Sequence, residues 1–166
     1  SSWGGTPIQA WTSRKAQAAV PELKPIVDKY EEAAASYNPQ AAKARYEQQL
    51  AAWQKAADKA KAEGAKPLAR KPQPPAPPGA SPGNPGALYN GMIAPLAPCA
   101  IRGAIWYQGE SNAGQARLYG LQLRTMIADW RRAFGQGDFA FLFVQLPNFM
   151  DPQQKPSETG GWPLAC

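Results

Sequence analysis

Hydrophobic positions fall into two regimes along this chain, and the sharper one lies near its centre. Ile101, Ala104, Ile105, Trp106 and Tyr107 form an apolar, partly β-branched run that predicts a buried strand. It stops in Gln108-Gly109-Glu110-Ser111-Asn112, small or polar residues without a hydrophobe. Helical spacing then takes over from Ala116 to Phe134. Leu118, Leu121, Thr125, Ala128 and Arg132 track one side, and Leu123, Met126, Ile127 and Trp130 widen the apolar surface, as a helix packed on a sheet requires. Gly135-Gln136-Gly137-Asp138 closes the helix, and FAFLFVQL (Phe139–Leu146) predicts a second buried strand ended by Pro147-Asn148. Strand, helix and strand in this order predict a parallel sheet with a right-handed crossover, hence an α/β fold. In such folds ligands sit beyond the carboxyl ends of the strands, where the polar turn lies.

The flanking segments have other patterns. SSWGGTPIQAWT (residues 1–12) reads as a strand end, a Gly-rich turn and a helix start, with Thr6 as N-cap and Pro7 in the first turn. From Ser13 to Gly64 the chain is rich in Ala, Lys, Glu and Gln. One helix is predicted from Pro21 and Pro25 to about Ser36 and another from Pro39 to Glu63, joined at Asn38-Pro39 as an antiparallel hairpin. Tyr46, Leu50 and Trp53 leave this hairpin one thin apolar seam and much exposed surface. KPLARKPQPPAPPGASPGNPG (residues 66–86) predicts an extended Pro-rich linker, and its PxxP matches follow from composition alone. In ALYNGMIAPLAP, Leu88, Met92, Ile93 and Leu96 share one helical face limited by Pro95.

Composition changes this picture in three places. The net charge is +6, but its excess sits on the helices and linker between Arg14 and Lys71, not around the strand and turn. That distribution argues against a nucleic-acid interface, whose basic residues gather on one recognition face. Cys99 and Cys166 lack metal-ligand spacing; Cys99, just before the strand, reads as a small buried residue. No stretch has the length of a transmembrane span. The chain starts on Ser1 rather than Met and ends on Trp162-Pro163-Leu164-Ala165-Cys166, which reads as a piece of a longer protein.

Three polar groups converge at one edge of the predicted sheet: Gly4-Gly5-Thr6, Gln108 to Asn112, and Gln145 with Asn148. Backbone N–H groups at a Gly turn together with a side-chain amide are the parts of an oxyanion hole. No G-x-S-x-G elbow is present, and Ser111 follows Glu110 with no adjacent base. The chain has no His, so it cannot supply the imidazole that a serine hydrolase triad needs.

SSWGGTPIQAW, LYNGMIAPLAP, AIRGAIWYQGESNA and IADWRRAFGQGDFAFLFVQLPNF, in this order, resemble bacterial sialate O-acetylesterases, carbohydrate esterases of the SGNH-hydrolase superfamily. The resemblance implies a flavodoxin-like three-layer α/β/α fold, here partial. It divides the chain into 1–12 as the start of the α/β part, 13–65 as a helical hairpin insertion, 66–86 as linker, 87–150 as the rest of the α/β part, and 151–166 as a loop or truncated tail. It also implies acyl transfer through a Ser and a His from blocks this sequence does not contain, an O-acetylated sugar such as sialic acid or a related glycan as substrate, no metal or other cofactor, and often export. Gly5, Gln108 and Gly109 match positions that stabilise the oxyanion. Glu110, Asn112 and Trp3 are candidates for substrate contact, Glu110 equally for anchoring the turn. Cys99 stands where the family carries a bulky aromatic, and WPLAC departs from the family's continuation.

The resulting expectation is an inactive fragment of a serine-type carbohydrate O-acetylesterase. Its rivals are a sugar-binding homologue without catalysis and a helical-hairpin interaction module. Without a preceding strand, the sheet should expose an edge and apolar surface that invite aggregation.

Overall fold

The computed structural model describes residues 3–64 and 70–147. Its helices are α1 (Arg14–Ala18), α2 (Lys24–Ala35), α3 (Pro39–Ala62) and α4 (Ala116–Phe134), and its strands are β1 (Gly103–Trp106) and β2 (Ala140–Phe143). A 3-10 turn, Ile8–Trp11, precedes α1; a π-helical turn, Tyr89–Ile93, runs into a 3-10 turn, Ala94–Leu96, ahead of β1. The chain separates into two compact units, one holding the described residues up to Glu31 and from Ser81 onward, the other Glu32–Ala80.

The first unit is a partial α/β structure. β1 and β2 pair in parallel, with Gly103 opposite Ala140 and Trp106 opposite Phe143. The helix that joins them, α4, has the bounds its periodicity predicts and ends because Gly135 adopts φ 63°, a left-handed cap. Met126 and Trp130 of α4 enter a core with Ile8, Ala10, Trp11, Leu88, Ile93, Trp106 and Phe139. Trp106 stands edge-on to both Trp11 and Trp130, with ring centroids 5.8 and 5.7 Å away. Edge-to-face pairs of this kind add about 0.5–1.5 kcal/mol each beyond area burial. The Trp130 indole also donates to the Trp11 carbonyl at 2.8 Å. The Arg131 guanidinium donates to the Phe139 carbonyl at 2.9 Å, tying the end of α4 to the start of β2.

Several expectations change. Both strands are covered on one face only: α4 packs over Ala104, Trp106 and Phe141, while Ile105 is 75 % exposed and Leu142 60 %. Among the described residues nothing packs on that second face. Thr6 is no N-cap. Its hydroxyl donates to the Trp3 carbonyl at 2.8 Å and accepts from the Trp11 indole at 3.0 Å, and Pro7 occupies the cap position instead. Ser13 caps the short α1, which the sequence reading did not anticipate, by accepting from Ala16 N–H at 3.1 Å. The Leu88–Leu96 face is not one α-helical stripe: Leu88 and Ile93 are buried but Leu96 is exposed, because the turn widens and then tightens at Pro95. Cys99 is exposed with a free thiol, in a turn where its N–H reaches the Leu96 carbonyl at 2.8 Å.

α2 lies across the division between the units; its Val27 and the preceding Leu23 are buried in the first. In the second unit, α3 is capped by Asn38, whose Oδ1 accepts from Ala41 N–H at 2.9 Å, and it buries no residue. Its partly covered positions include Tyr46, Leu50 and Trp53, the thin seam expected from spacing. The ends of the long excursion meet in the first unit. Gly86 donates its N–H to the Gln9 carbonyl at 2.9 Å and lies against Arg14.

Candidate functional site

Two turns separated by some hundred residues meet at the carboxyl end of β1. The first is Gly4-Gly5-Thr6, where Gly5 takes φ 68° and is exposed. The second begins at Gly109, whose φ of 153° lets the chain leave β1 and enter the 3-10 turn Glu110–Gln115. Gly109 is buried, and a Cβ there would stand 2.8 Å from Leu146 Cδ1.

Asn112 joins the two turns. It is 2 % exposed, and its Oδ1 accepts from Ile8 N–H at 2.9 Å and from Gln108 Nε2 at 2.8 Å. Its Nδ2 donates to Gln9 Oε1 at 3.2 Å and, more weakly, to Gln122 Oε1 at 3.4 Å. Gln108 completes the link, because its Nε2 also donates to the Thr6 carbonyl at 3.1 Å. Behind Gln108, the Tyr119 hydroxyl of α4 lies 2.8 Å from both Oε1 and the backbone oxygen of Gln108 and accepts from the Trp106 indole at 3.3 Å. Burial raises the Tyr119 phenol above its ordinary value of 10.0; the Trp106 hydrogen bond offsets part of this, and the charge of Glu110 adds to it. The hydroxyl therefore keeps its proton as a donor at neutral pH.

The remaining expected positions among the described residues lie around this junction. Glu110 and Ser111 are exposed, and Trp3 is 54 % exposed. Gln145 is exposed at the end of the β2 segment, and Asn148 lies outside the described residues. A cavity of about 130 Å³ adjoins the junction, lined by Trp106, Gln108, Tyr119, Leu123, Phe143, Val144, Gln145 and Leu146. A larger open cleft, between Arg102, Gln136 and Phe139, lies at the opposite end of the strands, away from these residues. Among the described residues no three His, Cys, Asp or Glu side chains gather as a metal site. Sequence reasoning found the two turns but missed Gln9, Tyr119 and Gln122. The only available signal was that Tyr119 and Gln122, three apart, share a face of α4.

Residues 78–159 match the family described as carbohydrate esterase, sialic acid-specific acetylesterase. The rat sialate O-acetylesterase is 32 % identical over 170 residues, covering 90 % of this chain and 26 % of that protein. The mouse sialate O-acetylesterase is 46 % identical over 71 residues, 38 % of this chain and 13 % of that protein. The human protein of the same name is 28 % identical over 168 residues, 96 % of this chain and 23 % of its own length. The rat and human alignments thus run through the helical segment as well as the sheet, and the chain spans about a quarter of those relatives. No solved structure matches the chain. These relatives are mammalian, so the family likeness stands without the bacterial placement. The family match at residues 78–159 and these relatives agree with one another: over most of its length the chain is similar to sialate O-acetylesterases.

Proposed function

We propose that this chain supplies the oxyanion-stabilising edge of an esterase that removes O-acetyl groups from sugars, sialic acid or a related glycan, through a Ser acyl-enzyme. The observation that carries this reading is the bond from Gln108 Nε2 to the Thr6 carbonyl, which brings the Gly5 turn and the β1 turn together. An oxyanion forming at the ester carbonyl takes the Gln108 N–H now given to Thr6, the longer of its two bonds, together with the Gly5 backbone N–H. Gly109 permits the turn that aims Gln108, Glu110 and Trp3 border the sugar, and Asn112 holds the assembly from below. On this reading the sheet is part of a three-layer SGNH-type α/β/α fold. Residues 13–65 with the linker 66–86 form an insertion, consistent with the meeting of Gly86 with Gln9 and Arg14.

The chain contains no His. It therefore has no imidazole to accept the nucleophile's proton, and the reaction needs a base from elsewhere in the esterase. Two assays with 4-methylumbelliferyl acetate and a 9-O-acetylated sialic acid test the proposal. The 166-residue chain alone is expected to show no saturable hydrolysis. In an esterase polypeptide containing it, Gln108→Ala is expected to lower kcat about 10²-fold with little change in KM, the usual cost of one lost oxyanion donor. Saturable turnover by the chain alone, or an unchanged kcat in the Gln108→Ala enzyme, would overturn the reading. Sugar binding with no hydrolysis by that larger polypeptide would instead favour a non-catalytic lectin-like role.

A further inference from the structure

We infer that Tyr119 is a positioning residue that fixes which end of the Gln108 amide faces the Gly5-Thr6 turn. The inference rests on the proposed role of Gln108, but its geometry stands independently.

An amide's oxygen and nitrogen are nearly the same size, so shape alone does not orient Gln108. Hydrogen-bond polarity does. The Trp106 indole can only donate, and it donates to the Tyr119 oxygen at 3.3 Å. Tyr119 is thereby left with its own proton to give, and two Gln108 oxygens, Oε1 and the backbone carbonyl, stand 2.8 Å away to share it. With Oε1 committed, Nε2 turns the other way, toward the Thr6 carbonyl at 3.1 Å and Asn112 Oδ1 at 2.8 Å. Thr6 can only accept there, so both ends of the relay demand the same orientation. A flipped amide would set oxygen against oxygen at Thr6 and would present a lone pair to a developing oxyanion. Tyr119 also lines the cavity beside Gln108, where no other phenol is found among the described residues. With both Gln108 oxygens 2.8 Å from it, the hydroxyl is placed to act through Gln108.

The test is a ¹⁵N-¹H spectrum of the full chain labelled at Gln side chains, with the Gln108 NH₂ pair identified by its loss in Gln108→Glu. In the unmodified chain this pair is expected to be split and to exchange with water at least tenfold more slowly than an exposed Gln such as Gln48. Tyr119→Phe is expected to abolish that protection while the backbone spectrum keeps its dispersion. Leu123→Ala, which alters the cavity wall without touching the relay, should leave it in place. An unprotected Gln108 pair in the unmodified chain, or a protected one in Tyr119→Phe, overturns the inference, and the first needs no variant to fold. In an active esterase containing the chain, Tyr119→Phe should lower kcat about tenfold at unchanged KM. If Gln108→Ala leaves kcat unchanged while the spectra behave as expected, the oxyanion role fails and the positioning stands.

Discussion

Replacing Asn112 by Ala removes the group that ties the two turns together, and the size of the effect follows from its partners. Ile8 is fully buried, so its N–H loses Asn112 Oδ1 with no access to water. An unsatisfied buried donor costs about 1–3 kcal/mol. The bond from Gln108, at 2.8 Å, adds roughly 0.5–1.5 kcal/mol. The links to Gln9 at 3.2 Å and Gln122 at 3.4 Å are long, and Gln9 is half-buried, so they add little. The expected total is about 2–4 kcal/mol, a large share of the 5–15 kcal/mol that holds an ordinary domain folded. Urea unfolding followed by tryptophan fluorescence reads it, since Trp11, Trp106 and Trp130 all lie in the core. A loss below about 1 kcal/mol in Asn112→Ala would refute the reasoning, because Ile8 N–H would then have an alternative partner.

Three further outcomes follow from other parts of the first unit. Gly109→Ala places a side chain at φ 153° and against Leu146, so a destabilisation of about 1–3 kcal/mol is expected in the same urea assay; adding Leu146→Ala should recover only the steric part. Ile105→Lys with Leu142→Glu, opposite one another across the strands, should reduce light scattering and dye binding by exposed apolar surface while shifting stability by less than about 0.5 kcal/mol. Burial raises the phenols of Tyr119 and Tyr89 above 10.0, so the folded chain holds these protons more tightly than the unfolded one. Their contribution to stability is therefore constant below about pH 10 and falls as pH rises above it; urea unfolding at about pH 8–11 should show that fall, shallower in Tyr119→Phe.

What the sequence made legible was whatever short-range pattern controls. The bounds of α4 follow from its apolar spacing and Gly135, and the parallel pairing follows from strand-helix-strand order. FAFLFVQL reads as buried on both faces because it hardly alternates, and parallel strands ordinarily are so covered. The described residues cover one face, so Leu142 and Ile105 stand exposed. Thr6 looked like a cap because it precedes Pro7, yet its hydroxyl prefers the Trp3 carbonyl and the Trp11 indole. The candidate site was legible as two turns but not as a network. Asn112 has the residue type of a pocket wall, and only its partners more than a hundred positions away show it to be buried and engaged on both ends of its amide.

The same distances decide what brings the turns together. Thr6 and Gln108 are 102 positions apart, and closing a flexible loop of that length costs on the order of 4 kcal/mol in chain entropy. The hydrogen bonds between the turns, each contributing about 0.5–1.5 kcal/mol net, barely offset that cost and leave nothing for ordering the residues themselves. Apolar packing has to do the joining: Ile8 and Trp11 from one side, Met126 and Trp130 from the other, in one core. Hydrogen bonds then select the orientation of groups already close. Met126→Ala, at a fully buried position, should cost about 2–5 kcal/mol and loosen the junction, with the protection of the Gln108 amide lost alongside stability. Gln108→Ala should cost no more than about 1.5 kcal/mol, because Asn112 still holds Ile8 and Gln108 itself is only half-buried. If Gln108→Ala destabilised the chain as much as Met126→Ala, the polar relay would be building the junction rather than aiming it, and this division of labour would be wrong.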